Sequence, residues 1–170
     1  MSGVLIEARS DGLEALNDGL RRMTALGERP RPIWDAIGQY GESSTRLRFK
    51  NQVAPDRKRW LPSIRARVTG GQTLVQKSRL LRSITHSADN NGTSWGTNVI
   101  YAGTHQFGAV IKPKTAGALR FRIPGGRFVI VKKVTIPARP FIGVNEEDGR
   151  EMLALTNDAI DLAAHNRGAR

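Results

Sequence analysis

The chain has 170 residues, 39% of them apolar and 25% charged, with no cysteine and a formal net charge of +12. These values fit one globular domain with a real core, and they exclude a disordered chain, disulfides and thiolate sites. No apolar run approaches the ~20 residues of a membrane span, and the first residues, MSGVLIEARSDG, lack the basic and apolar regions expected of a signal peptide. The charge is unevenly spread. Residues 1–60 carry 11 Lys/Arg against 8 Asp/Glu, residues 61–144 carry 13 against 1 (Asp89), and residues 145–170 carry 3 against 6. A basic middle segment of this kind either contacts nucleic acid or an acidic partner, or simply keeps the protein solvated.

Residues 4–9 read as a short strand or arm, and Ser10 or Asp11 as the cap of a first helix. Leu13, Leu16, Leu20 and Met23 recur at helical spacing, with Gly27 as a stop. A second helix is predicted from Pro32 to about Lys50, with Ile33, Ile37, Tyr40, Ser44 and Leu47 on one face. Both helices need a surface to cover, and the strands downstream are expected to supply it. Residues 49–62 read as a loop. Its Trp60, beside Arg57, Lys58 and Arg59, is expected to plug the core rather than stack on a base.

Residues 72–84 read as a short helix or turn. A β-hairpin is predicted over 84–97, turning at Asn91-Gly92, where both residues tolerate positive φ. A short helix, Val99 to Phe107, closes at Gly108, and residues 109–118 read as a flexible arm. Leu119, Phe121 and Ile123 alternate with Arg120 and Arg122 as a half-buried strand. It is expected to pair, across Pro124-Gly125-Gly126, with a longer strand from Phe128 to Ile136.

Pro137 and Pro140 end that strand, because neither has an N–H to donate and each biases the preceding residue towards an extended conformation. Phe141 and Ile142 follow as apolar anchors, Gly143 permits a turn, and Asn145 caps a last helix with Glu146, Glu147 and Asp148 in its first turn. Met152, Leu155, Ala159, Leu162 and Ala163 form the apolar face of that helix, and residues 165–170 are expected to fray. The expected fold is a single α+β domain over 1–170: an antiparallel sheet built from two hairpins (84–97 and 119–136), with the two N-terminal helices and the C-terminal helix packed on it.

Catalytic signatures are missing from the sequence. His86, His105 and His165 have neither the mutual spacing nor the acidic neighbours of a metal site; His86 is expected on the hairpin surface and His105 as a packing or hydrogen-bonding residue. There is no P-loop, dinucleotide fingerprint or nucleophile elbow, and the acids at 146–151 are sufficiently explained as a helix start. No catalytic, cofactor or metal residue is therefore expected. Lys112, Lys114, Arg120, Arg122, Arg127, Lys132 and Lys133 are candidates for contact with DNA or an acidic partner, since such cations follow a phosphate backbone without reading sequence. Charges on exposed strands also discourage edge-to-edge aggregation.

Four segments in order carry a family resemblance: FKNQVAPDRKRW (Phe49, Pro55, Asp56, Trp60), SRLLRSITHS (Leu81 to Ile84), TNVIYAGTHQFG (Tyr101, Ala102, His105, Gln106, Gly108) and VTIPARPFIGVNEED (Ile136 to Gly143). Together they resemble the virion morphogenesis (tail completion) family of phage Mu and related contractile-tailed phages. Arg57 departs from the pattern, which commonly has glycine there. The resemblance implies a non-catalytic structural protein without cofactors. Such proteins form a ring, often a hexamer, at the head-proximal end of the tail and make it competent for head joining. Implied partners are sister subunits, tail tube and sheath proteins, head–tail connector proteins and DNA in the lumen. The implied place is the neck of the virion, after assembly in the host cytoplasm. Trp60, Tyr101, His105, Phe107, Pro137, Arg139, Pro140 and Phe141 are then structural or assembly candidates. The alternatives are a head-side connector adaptor or minor head protein, and a DNA-binding protein without sequence preference.

Overall fold

A computed structural model describes residues 13–115, 117–123 and 126–165. The expected N-terminal strand or arm at 4–9, the caps at Ser10 or Asp11, most of the Pro124-Gly125-Gly126 turn and residues 166–170 of the tail lie outside the described residues. Helices α1 (Leu13–Glu28) and α2 (Arg31–Asn51) come first, then the short helices α3 (Ile64–Thr69) and α4 (Arg79–Arg82). Strands β1 (Thr85–Ala88) and β2 (Thr93–Gly96) are followed by α5 (Ala102–Phe107). Strands β3 (Ala109–Ile111), β4 (Leu119–Arg122), β5 (Phe128–Val131) and β6 (Val134–Ile136) lead into α6 (Glu146–His165). The class is α+β. Among the described residues no helix is long and apolar enough to cross a membrane.

The two hairpins do not join into one sheet. The described strands form three antiparallel pairs, β1 with β2, β3 with β6, and β4 with β5. Strands β1 and β2 have four residues each, about 13 Å of chain, which is room for one helix. That helix is α2, and it approaches through glycine. A Cβ at Gly41 would lie 2.5 Å from the Trp95 ring, and one at Gly38 would collide with the Thr93 hydroxyl. With α2 on the hairpin, α1 packs on α6 instead of a sheet, and the Arg22 guanidinium donates to the carbonyls of Ala163 (2.8 Å) and Ala164 (3.3 Å). Leu16, Leu20 and Met23, expected to be covered, remain exposed.

The hairpin turn also differs from the expected one. Neither Asn91 nor Gly92 adopts positive φ. The Asp89 carboxylate instead closes the turn by accepting from the N–H groups of Asn91 (2.7 Å) and Gly92 (3.0 Å), the local bonding that lets Asp stabilise turns. His86 is not a bare surface residue either. The close approach of α2 sets it beneath Glu42 (Nδ1 to carboxylate, 2.7 Å) and Asp35 (3.4 Å).

The core lies where the loop after α2 meets the chain before α6. Phe49, Trp60, Leu80, Ile84, Val99, Ala102 and Phe141 are buried there. The Phe49 ring stands edge-on to Trp60 at 5.4 Å and tilted to Phe141 at 5.2 Å, spacings that favour aromatic pairs. Replacing Gly41 by alanine is expected to destabilise the protein by about 1–3 kcal/mol through overpacking against Trp95. Gly149→Ala, in the open first turns of α6, is expected to stabilise it by about 0.5–1 kcal/mol. Urea unfolding of the two variants checks both signs.

Candidate assembly surfaces

Two features stand out from this framework: a rigid corner and a free ribbon. The corner begins where β6 ends at Ile136 and Pro137 forbids further pairing. The chain then runs under α5. The amide of Arg139 donates to the His105 carbonyl (2.7 Å), and the Gln106 side chain spans the next turn. Its Oε1 accepts from the N–H groups of Phe141 (3.0 Å) and Ile142 (3.1 Å), and its Nε2 donates to the Ile142 carbonyl (2.8 Å). Trp60 Nε1 donates to the Pro140 carbonyl (2.8 Å), so the buried indole keeps its polar atom bonded.

The corner ends at Asn145 and Asp148. The Asn145 side chain accepts from the Asp148 N–H (2.8 Å) while Asp148 accepts from the Asn145 N–H (2.9 Å), a reciprocal cap of the helix start. The same carboxylate accepts from Ser44 Oγ (2.6 Å) and Tyr40 Oη (3.1 Å) and forms a buried ion pair with Arg48. Arg48 also donates to the carbonyls of Phe141 (3.1 Å) and Gly143 (2.7 Å). Burial works against the charge on Asp148. The bonds from Ser44 and the Asn145 backbone, the Arg48 charge and the Tyr40 bond nonetheless hold its pKa below the usual carboxylate value. Burial first, and then the charge of Asp148, push Tyr40 up.

The ribbon is 109–136. Strand β3 pairs with β6 (Ala109↔Ile136) and, further out, β4 pairs with β5 (Leu119↔Val131). The expected flexible arm therefore begins as a strand, and the expected long strand breaks at Lys132-Lys133, the two residues between β5 and β6, whereas seven residues, 112–118, separate β3 from β4 along the chain. Among the described residues, β4 and β5 make no substantial packing contact with a helix or strand apart from each other. All seven basic candidates, Lys112, Lys114, Arg120, Arg122, Arg127, Lys132 and Lys133, are exposed and lie on this ribbon. The cross-strand pairs give the outer half of the ribbon an apolar and a mixed face. Leu119, Phe121, Val129 and Val131 share the first; Arg120, Arg122, Phe128 and Ile130 share the other, with both guanidiniums over the Phe128 ring at 5.4 and 4.9 Å.

The structural candidates divide between these features. Trp60, Arg139 and Phe141 are buried, with Pro137 and Pro140 half-buried beside them. Around α5, Tyr101 is partly exposed and edge-on to the half-buried His105 ring at 5.9 Å, while Phe107 is 81% exposed and Ile100 fully so. Burial, and then the charge of Arg139, lower the His105 pKa, which keeps the imidazole neutral near pH 7. Sequence reasoning missed Arg48 and gave Gln106 no role beyond its place in the family segment, since a polar residue on a helix announces no partner far along the chain. It also missed α3, although Ser63 was a readable cap and accepts from the Ala66 N–H (3.1 Å). Among the described residues no group of three or more His, Asp or Glu side chains is arranged to hold a metal ion.

The family model of the phage virion morphogenesis family matches residues 11–161, which takes in the corner, the ribbon and all six helices but the end of the last. The chain belongs to the phage virion morphogenesis family. It is 27% identical to the Mu-like prophage FluMu G protein 2 of Haemophilus influenzae over 158 residues, covering 93% of this chain and 98% of that one. No solved structure matches the chain. Family membership supports a structural role in phage morphogenesis, and it fits a fold whose special features are a locked corner and an unattached ribbon.

Asp148→Ala leaves Arg48 buried without its counter-charge and is expected to cost about 3–5 kcal/mol. Because the folded pKa of Asp148 is depressed, its contribution is present above the unfolded value near 4 and is lost as pH falls through the folded value. Acid unfolding of wild type beside Asp148→Asn checks the sign: the variant should show the weaker pH dependence below about pH 4. Arg57 adopts φ +63°, the left-handed conformation that explains why glycine suits this position. Arg57→Gly removes an exposed pair with Glu147 but relieves about 1 kcal/mol of backbone strain, so thermal unfolding should find it neutral or stabilised.

Proposed function

We propose that this family member is a non-catalytic subunit of a ring, six-fold by analogy with related tail-completion proteins, at the head-proximal end of a phage tail. There it completes the tail and allows the head to join. The observation that carries the reading is the ribbon. A two-stranded element with an apolar face and seven exposed cations is marginal in isolation and needs something to lie against. A ring supplies a neighbouring subunit for the apolar face and a lumen or acidic neighbour for the cations. The exposed Leu16, Leu20 and Met23 of α1, and Ile100 and Phe107 near α5, support further subunit, tube, sheath or connector contacts. The name of the Haemophilus relative, a G protein of a Mu-like prophage, supports the phage setting of this reading.

The test is the position of the protein in a reconstruction of the assembled particle. The expected result is a closed ring at the neck with the ribbons against neighbours or lining the channel. A monomer in the particle, or absence from the virion, overturns the ring. The seven cations also favour a second reading, sequence-independent DNA binding. In that case free protein binds duplex DNA with a salt slope of about −0.9 for each phosphate neutralised. Binding that is absent or salt-insensitive favours assembly alone.

A further inference from the structure

Beside the corner, α4 and α5 enclose a cavity of about 460 Å³ whose lining includes Arg65, Lys77, Arg79 and Arg139 and no acid. Arg139 sets it apart from ordinary surface charge. The residue is 5% exposed, and among the described residues it has no carboxylate partner. Nε donates to the Leu61 carbonyl (2.7 Å) and Nη1 reaches the Pro137 carbonyl at 3.5 Å, which leaves donors of the guanidinium without a protein acceptor. Across the cavity lining, His105 Nδ1 is buried and also unpartnered. A largely buried guanidinium with spare donors, in a basic cavity without an acid, can take an acceptor from outside.

We infer that this cavity is a socket for a carboxylate side chain of a second copy of the chain, and that Arg139 is its innermost ligand. The inference rests on the ring reading and names the contact that would build it. A carboxylate fits better than a nucleic-acid phosphate, because the Arg139 residue is only 5% exposed and a carboxylate on a flexible methylene stem reaches a recessed guanidinium more readily than a phosphate fixed on a duplex. Charge separation within the chain points to the source. Residues 61–144, which hold the cavity, have one acid, while α6 carries exposed Glu151, Asp158 and Asp161. A socket on one copy and an acidic helix on the next form a head-to-tail contact, the kind that closes into rings.

The experiment measures the mass of the full-length protein by light scattering across concentration, with circular dichroism to confirm folding. One variant reverses the rim (Arg65→Glu, Arg79→Glu) and the other reverses the helix (Glu151→Lys, Asp158→Lys, Asp161→Lys). Each alone is expected to weaken association at least tenfold, in line with the loss of a close interfacial charge pair. Their mixture is expected to restore pairing, since the unaltered socket of the helix variant then meets the unaltered acidic helix of the rim variant. Association of wild type that ignores both reversals, or a mixture that fails to recover, overturns the socket and leaves the ring standing. Wild type that stays monomeric up to about 1 mM, corresponding to affinity weaker than about −4 kcal/mol, overturns the contact itself. The particle reconstruction decides the ring independently.

Discussion

The carboxylate of Asp148 is the point at which the body of this protein is tied together. It caps α6, takes hydrogen bonds from two residues of α2 and neutralises a buried arginine of that helix. Arg48 passes the constraint on by donating to two carbonyls of the corner, so the path from β6 to α6 is held from the α2 side. Gln106 and Trp60 hold it from the other. Phe141 can be buried beside two prolines because the nearby backbone groups that lose a strand partner gain a side-chain one.

Much of this was legible in the residues. Pro137, Pro140, Phe141 and Asn145 specify a strand end, an anchor and a helix cap by local chemistry, and the structure has all of them. The limits of both long helices were readable to within a residue or two, because apolar spacing, Pro32 and Asn145 act locally. What could not be read was which element covers which. That α2 lies on β1 and β2 depends on a notch formed by Gly38 and Gly41, and glycine in a helix otherwise reads as mere weakness. The displacement of α1 onto α6 follows from that notch. The nested pairing of the ribbon was hidden because β3 has only three residues and its partner strand begins beyond the whole of the β4–β5 hairpin, out of reach of any local signal.

The division between a locked body and an unattached ribbon suits a protein whose role is assembly. The corner is crossed by hydrogen bonds from α2, α5 and the Trp60 loop, and it fixes the direction in which the ribbon leaves. The ribbon makes its interactions within itself, a few cross-strand pairs and two cations over one ring. Such an element is marginally stable on its own. The basic charge is concentrated on the ribbon and around the Arg139 cavity rather than spread evenly over the chain.

Amide hydrogen exchange in the free protein and in assembled particles tests this division most directly. In the free protein the amides of Arg139, Phe141 and Ile142 are expected to exchange slowly while those of β4 and β5 exchange fast, and assembly is expected to slow the β4 and β5 amides alone. Ribbon amides already as protected as the corner before assembly, or unchanged by it, would contradict the division of the molecule into a locked body and a ribbon that orders on its neighbours.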